Sequence, residues 1–326
     1  MKALVYQGAE TLAFEEATDP IPAAHEHLIR VDAVGICGSD MHAYLGHDER
    51  RPAPLILGHE AAGTIVGGSK DGLRVTINPL VSCQNCPACQ AERENLCGSR
   101  QIISMPPREG AFAQYVTMPE RNLVPVPDGF SIEKAALVEP LAVSWHAARL
   151  ALAAAPAIFG SEALVIGGGA IGLAAALALK AQGAEEVTIV EPNAARRAFL
   201  TEHCTENAVA EVSAAYPIVI DAVGIAPTRA LASARAIPGG VIAHVGLGDS
   251  EGGLDIRRMT LQEITFIGTY TYTAADFVET AHALFDGRLG PTDWIATRPL
   301  ADGAAAFRDI RAGAVAEPKT VLLPWN

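Results

Sequence analysis

The sequence predicts an α/β chain in two parts, an irregular β domain followed by a doubly wound parallel sheet. Three observations carry that expectation. The chain has 326 residues, long for one domain and comfortable for two. Up to about residue 140 it reads as short apolar runs broken by Gly and Pro, the texture of a small barrel-like β domain. From about residue 141 Ala-rich helical stretches alternate with apolar strands, as in a doubly wound sheet. The expected division is 1–140 and 141–270, with 271–326 returning to the first part.

In the first part, strands are expected at 3–6, 12–15, 28–33, 61–66, 74–77, 112–118 and 123–125. Ser131 is placed to cap a short helix ending near 137. The stretch Gly35-Ile36-Cys37-Gly38-Ser39-Asp40-Met41-His42, closed by Gly58-His59-Glu60, organises this domain. Cys37, His59 and Glu60 bring together a thiolate, an imidazole and a carboxylate. Three such ligands with a fourth position open suit a catalytic zinc, which polarises a carbonyl and lowers the pKa of a bound oxygen. Singly, Cys37 would read as a small core residue and His59 as a satisfied histidine.

Cys83, Cys86, Cys89 and Cys97 follow the spacing C-x2-C-x2-C-x7-C. Four thiolates so close can close a tetrahedral shell around one zinc, with no open position. Disulfides are the bland alternative, but adjacent short spacings give two bridges poor geometry, and an iron–sulfur cluster carries less weight. The expected role is structural. Cys204 has no partner motif and reads as a small buried hydrophobe. In Val138-Glu139-Pro140-Leu141 a carboxylate lies in an apolar stretch, as either a metal-side group or a helix-start carboxylate.

In the second part, strands are expected at 163–166, 187–190, 218–221, 241–245 and 265–268, with helices at 173–182, 228–237 and 274–285. Between Glu206 and Pro217 there is hardly room for a full helix, so that crossover is abbreviated. A helix near 301–312 and a strand at 320–323 complete the tail. Gly167-Gly168-Gly169-Ala170-Ile171-Gly172 sits between a strand and a helix, with Glu191 ending the next strand. That context turns a weak glycine pattern into the dinucleotide fingerprint of a Rossmann domain. Gly167, Gly169, Ile171 and Gly172 are the expected cofactor-binding positions, where backbone N–H groups meet the pyrophosphate. Glu191 should bond the adenosine ribose and repel a 2′-phosphate, favouring NAD over NADP, with Arg196 and Arg197 close by.

The 24 basic and 37 acidic residues leave a charge of −13 with no basic cluster, which argues against nucleic acid and anionic membranes as partners. The run 163–179 is uncharged, but Gly167, Gly168, Gly169 and Gly172 split it into strand and helix. The first eight residues contain no apolar signal core, so a soluble cytoplasmic protein is expected.

Together, the Gly35–Asp40 segment, Gly58-His59-Glu60, the four-cysteine lobe, Glu139-Pro140-Leu141 and the glycine-rich turn resemble the zinc-dependent medium-chain alcohol/polyol dehydrogenases. The motifs are closest to the sorbitol and galactitol-phosphate branch, and the likeness covers nearly the whole chain. The resemblance implies a GroES-like catalytic domain interrupted by a Rossmann domain. It implies Cys37, His59 and Glu60 as ligands of the catalytic zinc, with Glu139 on the metal or its water. Ser39 would take the substrate proton, His42 would be the solvent end of the relay, and Lys319 would face the coenzyme pyrophosphate. Tyr44, Phe112 and Tyr270 are pocket candidates. A small alcohol or polyol is the expected substrate, with two zinc ions per chain and NAD as cofactors. Family members pair through Rossmann edge strands, here 265–269, so a homodimer or homotetramer is expected. The competing readings are an L-threonine or simple secondary alcohol dehydrogenase, a zinc-independent quinone or enone reductase, and a non-catalytic zinc and nucleotide redox sensor. The segment 63–74 and the crossover before Pro217 are shorter than the family pattern.

Overall fold

A computed structural model describes residues 1–204 and 206–326. They form two compact units. One comprises Met1–Glu139, Thr273–Phe285 and Ile295–Asn326; the other comprises Pro140–Tyr272 and Asp286–Trp294. The expected return of 271–326 to the first part is therefore interrupted at 286–294. The reason is packing. Leu289 and Trp294 are fully buried, and Arg288 lies over the Trp145 ring. These contacts belong to the second unit.

The first unit is built on the strand Glu26–Gly35. It pairs antiparallel with Glu60–Val66 on one side. On the other it pairs with Tyr115–Pro119 near its start and with Lys319–Leu323 at its end. The sheet runs in the order Leu123–Pro125, Arg74–Ile77, Glu60–Val66, Glu26–Gly35, Lys319–Leu323, Ile295–Pro299. A second sheet joins Thr11–Glu16, Lys2–Gly8 and Leu55–Ile56. Inward positions such as Leu4, Ile29, Leu57, Ile65, Phe112 and Phe307 form the core. The strand expected at 112–118 starts only at Tyr115. Before it, Phe112 takes its backbone bonds from Leu57 and Leu4 rather than from one continuous ladder.

The second unit holds six parallel strands in the order Asn207–Val209, Val187–Val190, Ala163–Ile166, Tyr216–Asp221, Ala236–His244, Thr265–Gly268. The first strand in sequence, Ala163–Ile166, sits between neighbours reached in opposite directions. That is the switch point where doubly wound sheets bind ligands. The helix Ala170–Ala181 follows the glycine-rich turn, and Ala175–Leu179 is wholly buried. Asn207–Val209 connects to Tyr216–Asp221 without a helix, as the short spacing requires. Among the helices with no counterpart in the sequence expectations are Val138–Ala154, Ala194–Cys204 and Ile256–Leu261, and the last two have a shared cause. Ala194–Cys204 buries only Leu200 and Cys204 and Ile256–Leu261 nothing fully, so neither carries a strong apolar stripe. Among the described residues no helix is long and apolar enough to cross a membrane.

Candidate active site

The central strand carries the chain through Ile36 and Cys37 into the helix Gly38–Tyr44, with Cys37 at its N-cap. Register then sets the site. Gly35 lies opposite Glu60, and Val321 lies opposite Gly35 on the other side. Three adjacent strand ends therefore deliver Cys37, Glu60 and Lys319 to one place. A β-carbon on Gly35 would lie 2.1 Å from Oε2 of Glu60, so only glycine lets that carboxylate in.

The ligand atoms of Cys37, His59 and Glu60 all lie within 4.8 Å of one another. His59 and Glu60 are buried. Nδ1 of His59 faces Oδ1 of the fully buried Asp40 at 3.3 Å and Oγ of Ser104 at 3.3 Å. Asp40 also accepts from the backbone N–H of Cys37 at 3.0 Å and of Gly58 at 3.2 Å. With Nδ1 committed to Asp40, Nε2 is the atom left for a metal, and the ring is held in place from behind. Burial opposes charge on His59, but Asp40 and Cys37 outweigh it and hold the imidazole well above its ordinary range. Burial likewise works against ionised Asp40, yet His59, Arg51 and the Cys37 N–H keep its carboxyl low. A soft sulfur, an imidazole and a carboxylate gathered in a buried site are the donor chemistry of a zinc centre. The residues fit the metal.

Lys319 differs from its expected task. Its buried ammonium donates to both carboxylate oxygens of Glu60 at 2.7 Å and to the carbonyl of Ile36 at 3.0 Å. All three of its N–H donors are used, which leaves none for a coenzyme pyrophosphate. Burial opposes its charge, while Glu60, Cys37 and Glu139 hold its pKa up. Glu139 is buried near the start of the helix Val138–Ala154, outside the three-residue ligand group. Ser39 places its Oγ 3.5 Å from Nε2 of His59. His42 is one turn on, and no hydrogen bond joins it to Ser39 among the described residues; its ring lies 6.3 Å from that of His47. Tyr44 and Phe112 are corrected as pocket residues. Both are buried in the core against Phe307, at ring distances of 5.2 Å and 5.9 Å. Tyr270 is half-buried in the second unit.

Cys83, Cys86, Cys89 and Cys97 also hold their sulfurs within 4.8 Å of one another. Cys86 and Cys89 are 3.5 Å apart and Cys83 and Cys89 3.9 Å, far beyond a disulfide bond. Four sulfurs at about 2.3 Å from one zinc stand roughly 3.8 Å apart, so the lobe fits a closed zinc site. Backbone N–H groups of Asn85 and Cys86 help draw the Cys83 thiol down to about 6, while burial and the adjacent Cys86 push the Cys89 thiol up to about 11.

In the second unit the turn 167–172 is packed so tightly that a β-carbon on Gly172 would lie 1.7 Å from the carbonyl oxygen of Gly167. Glu191 accepts from the N–H of Gly168 at 2.9 Å and of Asn193 at 2.8 Å. Each carboxylate oxygen keeps a second acceptor site for a ribose hydroxyl. Arg197 donates to the carbonyls of Glu191 and Pro192, and Arg196 stands beside Gly169.

Sequence reasoning missed three residues here. Asp40 stood in the quoted motif, and a carboxylate three residues after a ligand is the signal that could have found it. Arg51 and Ser104 gave no signal; only the fold brings them to Ser39 and His59.

The alcohol dehydrogenase GroES-like domain model matches residues 23–128, and the zinc-binding dehydrogenase model matches residues 170–286. The chain is 34% identical over 308 residues to L-galactonate-5-dehydrogenase of Escherichia coli strain K12, covering 89% of this chain and 88% of that one. It is 31% identical over 342 residues to a protein described as a probable D-xylulose reductase A from Neosartorya fischeri, covering 95% and 94%. Among solved structures it is similar to galactitol-1-phosphate dehydrogenase from Escherichia coli, with a TM-score of 0.83 and 25% identity over 99% of this chain and 100% of that one. The chain belongs to the zinc-dependent alcohol and polyol dehydrogenase family, NAD-linked oxidoreductases built on a GroES-like domain and a Rossmann domain.

Proposed function

We propose that this protein oxidises a secondary alcohol of a sugar acid or sugar alcohol, passing the hydride to NAD. The observation that carries the reading is the convergence of Cys37, His59 and Glu60, with the Ser39 hydroxyl beside His59. Cys37, His59 and Glu60 hold the catalytic zinc, Glu139 serves the same centre from the next helix, and the four cysteines hold a second, structural zinc. When bound, the catalytic zinc polarises the substrate oxygen and lowers the pKa of its proton. Ser39 accepts that proton, and His42 at the solvent side carries it onward. Asp40 keeps His59 in one tautomer throughout. The turn at Gly167, Gly169, Ile171 and Gly172 binds the pyrophosphate, Glu191 the ribose, and Arg196 lines the same region.

The sugar-acid and ketose names of the relatives support this substrate class. We place the enzyme in the cytoplasm as a homodimer or homotetramer paired through the exposed edge strand Thr265–Gly268. The test is NAD reduction with a panel of sugar acids, sugar alcohols, threonine and simple secondary alcohols. Fastest turnover should fall on a sugar acid or sugar alcohol. Preference for threonine or a simple alcohol would overturn the substrate class, and no turnover with any would overturn the reading.

A further inference from the structure

Arg51 is buried to 3% exposure, and an arginine buried that far needs partners for its donors. Its Nη1 reaches Oδ2 of Asp48 at 2.6 Å, and its Nε donates to the carbonyl of Ser104 at 3.0 Å. Those two contacts would suffice to pin a loop. The remaining donors go elsewhere. Nη1 also reaches the carbonyl of Ser39 at 3.3 Å, and Nη2 reaches its hydroxyl oxygen at 3.4 Å. Both polar atoms at the tip and root of Ser39 thus meet the same rigid guanidinium. Ser104 completes the frame. It is fully buried, has a left-handed φ of 70°, and gives its carbonyl to Arg51 while its hydroxyl faces Nδ1 of His59. A non-glycine residue held in that conformation marks a place where the fold fixes geometry at a cost.

We propose that Arg51 is a positioning residue for Ser39, holding the serine hydroxyl oxygen where it meets the substrate oxygen. The inference rests on the reading of Ser39 as the proton-carrying hydroxyl. The physical reason is donor arithmetic. A guanidinium donates and never accepts, so Ser39 Oγ must spend a lone pair on it. The serine hydrogen cannot be used on Arg51. That leaves one lone pair to accept the substrate proton and the serine's own hydrogen to pass on, with Oγ held 3.5 Å from Nε2 of His59. Lysine at position 51 would keep the charge and lose the planar fork that meets Ser39 at two atoms.

The experiment is a double-mutant cycle of Arg51→Lys and Ser39→Ala, with kcat and KM measured for NAD and for the panel substrate of highest turnover. Zinc content and thermal midpoint are taken on the same samples. Because Arg51→Lys could fail to fold, Asp48→Asn forms a second cycle. It removes the ion that holds the guanidinium and leaves the chain its shape. The expected result is a kcat loss of about tenfold for either variant, the scale of groups that orient a metal site. KM for NAD and two zincs per chain should be kept. In the Ser39→Ala background neither change should cost anything further, since residues that act through one another are not additive. Equal losses in both backgrounds, or wild-type kcat in the folded variants when Ser39→Ala is slow, overturn the proposal. A Ser39→Ala enzyme at wild-type kcat would instead defeat the Ser39 reading, and this inference with it, while leaving the zinc centre untouched.

Discussion

Gly35 decides how close the carboxylate of Glu60 can come to Cys37. A methyl group there would sit 2.1 Å from Oε2, so Gly35→Ala must push Glu60 away. The expected outcome is loss of the zinc near Cys37 with the four-cysteine zinc retained, checked by metal content per chain; two zincs in the variant would contradict it. Glu139 is the second residue at issue. Glu139→Gln keeps the shape and removes a charge that bears on Lys319. Turnover should fall roughly 10–100-fold with the structural zinc intact. If Glu139 only starts its helix, the variant loses at most about 1 kcal/mol and keeps its rate. At this scale the ligand types could be read from the sequence because Cys37, His59 and Glu60 lie in two short motifs. Their supports could not. Arg51, Ser104 and Lys319 lie far from one another in sequence, and their roles appear only when strand register and a buried loop bring them in. Tyr44 and Phe112 misled for the reverse reason, since aromatic residues beside a motif are as useful to a core as to a pocket.

Elements hold these residues through a few long-range ties. One joins the start of the central strand to the loop before Tyr115: Arg108 donates to Glu26 at 2.7 Å, with the Glu26 side chain 10% exposed. Burial pushes the Glu26 carboxyl up, but the bonds from Arg108 and the Ala23 N–H outweigh it and hold the pKa below its usual value. A depressed native pKa means the unfolded chain binds the extra proton. The tie therefore stabilises above the ordinary carboxylate range and is lost as pH falls through the native pKa. Glu26→Gln should be less stable than wild type by on the order of 1 kcal/mol at pH 7. That gap should close between about pH 5 and pH 3. A gap that stays constant across that range, read from thermal midpoints, would show that the charge contributes nothing. The denser apolar strands and the helix after the glycine turn were legible, whereas the half-exposed strands Asn207–Val209 and Ile295–Pro299 were not. The helices Ala194–Cys204 and Ile256–Leu261 were not, since so few of their side chains are buried.

For the whole molecule, the division near residue 140 follows the change in sequence texture, and the final strand Lys319–Leu323 pairs beside Gly35. The detour of 286–294 into the second unit had no sequence signature, because its anchors, Leu289 and Trp294, are ordinary core residues in either unit. The chemistry depends on candidate metal sites assembled from separate segments. The most direct measurement is zinc per chain in wild type and in His59→Ala, by mass spectrometry on protein folded to the same extent. Wild type should hold two zincs and the variant one, the survivor held by Cys83, Cys86, Cys89 and Cys97. The same count in both proteins would contradict a zinc centre at Cys37, His59 and Glu60.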